Sequence, residues 1–471
     1  MGQSHSHHRQ GHAAAAVAAP VDTTPSFLAK LRDALVARSA DGAVSRQLFG
    51  LVFPNNETVA GVLFEHFVRR SPASTGEALT PADFVSRCAE VCDLISEHDQ
   101  VEYHLRAFAD REDALSAERL RQLVLQAYDA AMWAHPNTVS VGSLAVDEIL
   151  GGVAESVLHG RPEVGVAFAR NWVLQHCPRL LRSLHQYVLH RITTGHADLA
   201  AAGSDTGGHE AAAAAGPGGG TCVLERAAAS SLTGVHPALV WLLMCSLPEC
   251  YTRPSSAESL PSLPALAALD PGQAIGRLAQ AAAPKHWVSL YSSAEQGLSA
   301  SRLQHHVLSY RGPTITLVRA EEHRLFCVAA DVGWRDSPHY WGGADCMAIQ
   351  LLPQYQVLCS HQADVMFYNQ SARGLPSGLR VGADRKTPAV TVDKDLSMCS
   401  SRGAPFRLEG LEVWGCGAPA ARDQQIKSQK RDQAAIEQRR KVNIMADTEW
   451  GENPDRYLLE MSGAHKSYNY N

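Results

Sequence analysis

The sequence predicts an α+β protein: helical toward its amino end, built of packed antiparallel sheets with flanking helices toward its carboxyl end, and closed by one more helix. Three observations predict this arrangement. Apolar residues recur at helical spacing from Thr24 to about Ile192. Short apolar or β-branched runs punctuated by Gly and Pro fill the stretch from Thr314 to Trp414. The segment from Ala420 to Met445 has neither Gly nor Pro and is dominated by Gln, Lys, Arg, Ala and Glu. Helices and strands are segregated along the chain, as α+β proteins require.

With 471 residues and 45% apolar content, the chain can bury more than one core. Composition divides it into a disordered terminus at 1–22, a helical region at 23–198, a low-complexity linker at 199–221, a sheet domain at 222–418, and a helix with tail at 419–471. The net charge of −6 gives no global nucleic-acid signal. Eleven cysteines without a CxxC pair read as reduced thiols of an intracellular chain. The strongest apolar run, Ala238 to Leu247, is about half the roughly 20 residues a membrane span needs, so a buried helix is expected.

The amino terminus, polar and His-rich, has no secretory leader pattern. Met1-Gly2-Gln3-Ser4-His5-Ser6 fits M-G-x-x-x-[ST], in which the Gly2 amine accepts a myristoyl chain. One such chain binds membranes only weakly, with an association constant on the order of 10^4 M^-1, so a second contact is required. His5, His7, His8 and His12 read as part of a disordered tail.

Thr24-Pro25 places an N-cap and an initiating Pro before Phe27, Leu28, Leu31 and Leu35. Thr80-Pro81-Ala82-Asp83 repeats the device before Phe84, Cys88, Val91, Cys92 and Ile95. Cys88 and Cys92 share one helical face, where core packing is expected over half of a metal site. Helix 101–108, the acidic 109–113 segment and helix 118–130 outline an EF-hand. The calcium chemistry fails: with Asp110 at the first loop position, the sixth is Leu115 instead of Gly and the twelfth is Arg121 instead of Glu. Leu180, Leu181, Leu184, Val188 and Ile192 mark a further amphipathic helix.

The segment from Ala200 to Gly220, rich in Ala and Gly, reads as a tether that lets the halves on either side move independently. Thr252 to Pro264 reads as a loop. Beyond it, Thr314 to Val318 and Leu325 to Ala330 flank the polar Glu321-Glu322-His323-Arg324, the composition of a hairpin. Strands are also expected at 348–352, 356–359, 365–369, 389–392 and 411–414, and a helix at 298–308 with Ser299 as N-cap.

Trp334, Trp341 and Gly342-Gly343 favour packing and turn roles over a ligand site, since no poised nucleophile lies nearby in sequence. Adjacent His305 and His306 point in different directions on a helix and make a poor chelating pair. No catalytic residue, metal or cofactor is assigned. In the closing helix Arg422, Lys427, Lys430, Arg431, Arg439, Arg440 and Lys441 stand against Asp423, Asp432 and Glu437, an excess of four positive charges. Its apolar residues are too sparse for a core-facing stripe. It is therefore either a solvated helix or a basic helix that docks on an acidic partner or a membrane surface.

The stretch His286-Trp287-Val288-Ser289-Leu290-Tyr291, Leu303-Gln304-His305-His306, Val328-Ala329-Ala330-Asp331-Val332-Gly333-Trp334 and Tyr340-Trp341-Gly342-Gly343-Ala344-Asp345-Cys346 resembles a TLDc domain, with the likeness running to about Gly417. Together with the opening Met-Gly, the EF-hand-like region and the closing Leu458 to His465, it resembles the lysosomal, mTOR-associated branch of the TLDc family. Between Leu396 and Phe406 the chain is shorter than the family's usual segment, which leaves the local sheet edge open. The resemblance implies a non-catalytic adaptor at the cytoplasmic face of the lysosomal membrane and in the cytoplasm. Its implied partners are the stator and rotor subunits of the vacuolar-type proton ATPase, the mTOR complex, and the membrane through the lipid on Gly2. It also implies a docking body at 287–417 and a rotor-facing helix at 420–445, on which Arg431, Arg439, Arg440 and Lys441 are the candidate contact residues. Two alternatives stay open. One is a lysosomal mTOR signalling scaffold independent of the pump. The other is an enzyme protecting against oxidative stress, which requires a low-pKa cysteine or a metal site.

Overall fold

The computed structural model describes residues 25–54, 56–71, 77–111, 113–133, 144–201, 235–253 and 286–452, without the side chains of 144–145, 201 and 439–452. Two compact units result, one of residues up to Asp93 together with Arg191–Thr206, the other of Leu94–His190 and everything from Gly207.

The first unit holds α1 (Ser26–Val36), β1 (Val44–Ser45), α2 (Arg46–Gly50), α3 (Glu57–Arg69), β2 (Ala78–Leu79) and α4 (Pro81–Cys92). Helix α1 buries Leu28, Leu31 and Leu35 on one stripe. Pro25 stands at its N-cap rather than at the first helical position. At α4 the sequence reading holds: Thr80 accepts the Asp83 N–H and Pro81 opens the helix. Ile95 lies beyond that helix and is exposed. The short ladder Val44↔Leu79 joins two helix-loop-helix elements into an EF-hand-like pair that the sequence reading did not find. The Phe49 ring packs against Phe53, Phe64, Phe67 and Phe84 at centroid distances of 5.5–6.1 Å.

The second unit opens with another such pair: α5 (Glu97–Phe108), β3 (Ala114–Ser116), α6 (Ala117–Trp133), α7 (Leu144–Leu158), β4 (Glu163–Gly165) and α8 (Val166–His176). Pairing of Leu115 with Val164 fixes the loop register and corrects the sequence alignment. Arg119, not Arg121, closes this loop: its Nε lies 3.3 Å from Asp110 Oδ1, while Ser116 N–H donates to Oδ2 at 3.0 Å. Arg121 instead pairs with Glu155 at 2.9 Å. Desolvation raises the Asp110 pKa, yet Ser116 and Arg119 outweigh it and the carboxyl lies below its usual range.

Helix α9 (Arg182–Ala201) belongs to the second unit up to His190 and to the first unit from Arg191. It includes residues 199–201 of the expected linker, of which Leu199 is buried. Next come α10 (Pro237–Ser246), apolar and buried on nearly all sides as expected, and α11 (Glu249–Thr252). No helix among the described residues is long and apolar enough to cross a membrane.

The remaining elements are β5 (Val288–Ser292), α12 (Ser293–Gln296), α13 (Ala300–Val307), β6 (Thr314–Ala320), β7 (Arg324–Ala330), β8 (Met347–Leu352), β9 (Gln356–Cys359), β10 (Met366–Asn369), β11 (Gly378–Val381), β12 (Val390–Val392), β13 (Met398–Ser401), β14 (Ala404–Gly415) and α14 (Pro419–Glu452). The strands form one antiparallel ladder in the order β10-β11-β12-β13-β14-β6-β7-β8-β9, with β5 also paired to β14. Long β14 serves two layers. Its first residues pair with β13, its last with β6 and β5. A register shift between Leu408 and Gly410 switches the alternation, so that Phe406 and Leu408 before it and Leu411 and Val413 after it all enter one core. That core joins Val318, Phe326 and Val328 of one layer to Met366, Tyr368 and Val392 of the other. The shortened 396–406 segment supplies β13, hydrogen-bonded on both sides rather than at an edge.

The reverse face of the β6-β7-β8 layer is buried too, through Ile315, Cys327 and Ile349. Helix α7 presses on the β8-β9 turn so closely that a Cβ on Gly152 would lie 3.0 Å from the Pro353 carbonyl oxygen. Tyr355 donates its hydroxyl to the His176 carbonyl at 2.7 Å and lies 3.0 Å from Ser246 Oγ. Trp287 Nε1 donates to the Tyr251 carbonyl at 2.7 Å, and the Tyr251 hydroxyl to that of Asp345 at 2.9 Å. The expectation of helical and sheet halves moving independently about a tether is thereby corrected: helices α5 to α8 and the sheets share one compact unit. Residues 202–234, most of the expected tether, lie outside the described residues.

Candidate functional site

The sequence places its candidate contacts on the closing helix, and the chemistry of that helix begins at its root. Helix α13 is short; in its last turn the Gln304 and Val307 carbonyls take the N–H groups of Leu308 and Tyr310, which leaves those of His305 and His306 without a backbone donor among the described residues. Two side chains of α14 supply the donors. Gln425 Nε2 donates to the His306 carbonyl at 2.6 Å and lies 3.3 Å from Ser309 Oγ; Gln429 Nε2 donates to the His305 carbonyl at 3.2 Å and also reaches Ser309 Oγ. Gln425 is 0% exposed, an amide sealed inside a polar helix. The adjacent histidines thus matter through their carbonyls rather than as a chelating pair.

Ahead of the root, the ring of Tyr310 fills a slot walled by Gly312, Gly415 and Gly417, where an added Cβ would approach it to 2.7–2.9 Å. Its hydroxyl accepts the Gly417 N–H at 2.8 Å, and the Cys416 N–H donates to the Pro313 carbonyl at 2.8 Å. Burial pushes the Tyr310 phenol up to about 12, so the group stays neutral. The last strand and the first turn of α14 are therefore fastened to the sheet before the helix leaves it. Beyond Gln429 the helix changes surroundings: every residue from Lys430 to Gln438 is exposed, including the apolar Ile436 at 53%. At 34 residues, α14 is about 50 Å long at the usual rise.

Arg431 lies on this exposed stretch and forms no ion pair among the described residues. Arg439, Arg440 and Lys441 belong to the same helix, but their side chains lie outside the described residues, as do Gly2 and the 458–465 segment. Sequence reasoning missed Gln425, Gln429 and Tyr310. The three glycines around Tyr310 were its only visible trace.

The other singled-out residues are structural. Trp334 donates to Thr314 Oγ1 at 3.0 Å and packs against Trp341 and Tyr368, at 6.4 and 5.3 Å between centroids. Gly343 N–H and the Cys346 thiol both donate to Asp331 Oδ1, at 2.8 and 3.1 Å, which closes the loop between β7 and β8. Desolvation raises the thiols of Cys88, Cys327 and Cys416 well above their ordinary value, Cys250 and Cys346 to about 12, and Cys92 and Cys399 to about 11. One polar cleft of about 380 Å³ opens beside β9, lined by His176, Cys359, Asp384, Thr387 and Arg402 among others. Desolvation holds the His176 ring below its ordinary pKa, assisted by His159, while burial raises the Cys359 thiol, so neither is poised as an ion pair for catalysis.

Residues 275–417 match the TLDc domain, and this part of the chain is a TLDc domain. The chain is 29% identical to MTOR-associated protein MEAK7 of Danio rerio over 189 residues, which cover 36% of this chain and 40% of that protein. It is 23% identical to Restriction of telomere capping protein 5 of Zygosaccharomyces rouxii over 172 residues, 31% of this chain and 30% of that one. The same protein of Saccharomyces cerevisiae is 23% identical over 171 residues, 29% of each chain. The match thus spans less than half the length of these relatives.

Proposed function

We propose that this chain is a non-catalytic TLDc adaptor that binds the vacuolar-type proton ATPase at lysosomal membranes, modulates it, and is linked to mTOR signalling. The TLDc domain and the likeness to an mTOR-associated protein support the reading. The observation that carries it is α14, locked to the end of α13 by Gln425 and Gln429 and exposed on all sides from Lys430 to Gln438. A helix held rigidly at one end and bare at the other is suited to reach a second surface while the domain grips a first. If those surfaces belong to stator and rotor, binding depends on rotational state, and the chain biases the states it prefers. Arg431, Arg439, Arg440 and Lys441 are the proposed contacts of the helix, and the lipid on Gly2 supplies weak membrane affinity that the protein contact reinforces. The raised thiols weigh against the rival oxidant-protection enzyme.

The test is co-purification of the detergent-solubilised proton pump with the full chain, and with a chain ended after Ala418. Full-length capture, with loss of rotor crosslinks in the shortened chain, is the expected result. Unchanged rotor crosslinks would remove α14 from the mechanism, and no capture at all would favour the second reading, a lysosomal mTOR scaffold independent of the pump. The likeness to an mTOR-associated protein of Danio rerio is what keeps that reading in view.

A further inference from the structure

The outer layer formed by β10 to β13 and the start of β14 turns one face to the core, and its other face is partly exposed around a buried Phe367. Register places Phe367, Arg380, Thr391, Ser400 and Pro405 side by side across that outer face, opposite in alternation to the core residues Leu379, Val381, Val390, Val392 and Cys399. A second row sets Met398 beside Arg407. The β11-β12 turn adds Arg385 and Lys386 at one end, with Arg402 from the neighbouring β13-β14 turn.

The charges of this layer are unbalanced in a specific way. From Ser371 to Arg407 the chain carries seven cations and three acids, an excess of four in a protein of net charge −6. Two of those acids are occupied by their own turns. Asp384 accepts the Lys386 N–H at 2.9 Å and the Thr387 hydroxyl at 2.7 Å, and Asp393 accepts the Ser397 and Met398 N–H groups at 2.7 and 3.1 Å. Among the described residues none of the seven cations, Arg373, Arg380, Arg385, Lys386, Lys394, Arg402 or Arg407, forms an ion pair. The helices behave oppositely: Arg46 pairs with Glu65, Arg170 with Glu102 and Arg121 with Glu155. Arg385 is steadied over the Tyr340 ring at 4.9 Å, and Arg380 reaches the Arg385 carbonyl at 3.4 Å.

We propose that the outer face of β10 to β13 docks an acidic segment of a protein partner. Five of the seven cations are Arg, whose planar fork suits carboxylates bidentately. Met398 at 40% and Leu375 at 44% exposure supply apolar contact at the rim of a surface that is otherwise charged and hydroxyl-lined. A nucleic acid fits the face less well, because Phe367 is buried and packs against Tyr340, whose ring is also occupied by Arg385, which leaves no free ring there on which a base stacks. The proposal goes beyond the pump reading and does not depend on it, since it uses no residue of α14.

The test uses the full chain and a fluorescent twelve-residue peptide of Glu and Asp with two Leu, beside its Gln/Asn analogue. Expected results are binding that weakens steeply with salt, hydrogen-exchange protection over 378–407, and at least a tenfold loss of affinity in Arg380→Glu with Arg402→Glu. Lys427→Glu with Lys430→Glu, on the helix, leaves the affinity unchanged, and circular dichroism of both variants matches the parent. Equal affinity in the face variant, equal binding of the Gln/Asn analogue, or protection confined to 419–438 overturns the proposal. Tighter binding of phosphatidylserine vesicles or of single-stranded RNA to the same face overturns the protein occupant.

Discussion

Replacing Tyr355 by Phe removes one oxygen from the seam between the second helix pair and the sheet. The hydroxyl lies at 2.7 Å from the His176 carbonyl, which it caps at the end of α8, and at 3.0 Å from Ser246 Oγ. Ser246 keeps its bond to the Leu242 carbonyl at 2.7 Å, so the His176 carbonyl is the group left without its donor. Losing such a bond in a buried site costs about 1–3 kcal/mol. The ring itself stays, with Trp172 at 5.9 Å, so no cavity of consequence opens. At about 2–4 °C per kcal/mol, the melting transition of the second unit falls by a few degrees. Calorimetry reads the transition, and hydrogen exchange locates the loss. The expected outcome is one transition, shifted as a whole, with faster exchange both in α8 and in β8 and β9. Faster exchange confined to 166–201, with 347–359 as slow as before, would refute the claim that helices and sheet form one cooperative unit.

Four further outcomes are expected. Gln425→Leu, which removes the donor to the half-buried His306 carbonyl, frees the root of α14 at a cost of about 1 kcal/mol; limited proteolysis reads it as new cleavage between 418 and 438. Desolvation, then His305 and Arg422, hold His306 below its ordinary pKa, so the undocked root binds the proton more readily. The docked root therefore holds above about pH 6.5 and loosens as pH falls below it, which exchange at pH 7.5 and 5.5 compares. Burial lowers His185, 3.3 Å from His104, to about 4 from 6.5, so the unfolded chain takes up a proton first as pH falls; stability complete above pH 6.5 drops by roughly 3 kcal/mol on approaching pH 4, as denaturant titrations at both pH values measure. Calorimetric titration with calcium gives no micromolar isotherm, because Arg119 holds the Asp110 carboxylate; micromolar binding at the α5-α6 loop contradicts that geometry.

What the sequence disclosed depends on how local the determining physics is. The β6-β7 hairpin was legible because two apolar runs flank a short polar segment, 321–324, whose first three residues form the turn, and every residue of β6 finds its partner within that local unit. The Thr80 cap was legible because its hydroxyl meets an N–H three residues away. Strands β5, β11 and β13 were not, since Gly378-Leu-Arg-Val and Met398-Cys-Ser-Ser carry weak propensity and become strands through neighbours supplied by distant segments. The first EF-hand-like pair was missed because its tie is a two-residue ladder between positions 44 and 79, visible only once both loops are placed. At the candidate site, Arg431 declared itself by charge. Gln425 did not, being one neutral amide among several in a polar helix, with its importance residing in carbonyls more than a hundred residues upstream.

The same contrast separates support from contact in the TLDc unit. Groups that fix its geometry at the root of α14 are neutral and sealed: the Tyr310 phenol in its glycine slot and the Gln425 amide. Groups left for others are charged and open: Arg431 on the free stretch of α14, and Arg385 and Arg402 beside the outer sheet face. Exposed cations add little to stability, and cations without partners repel one another, so neither set does much to hold the fold together. Charge that the fold does not use is available for association at no cost in packing. Two such surfaces, carried on separate elements of one compact unit, permit two contacts at once, the second made at the high effective concentration set by the first.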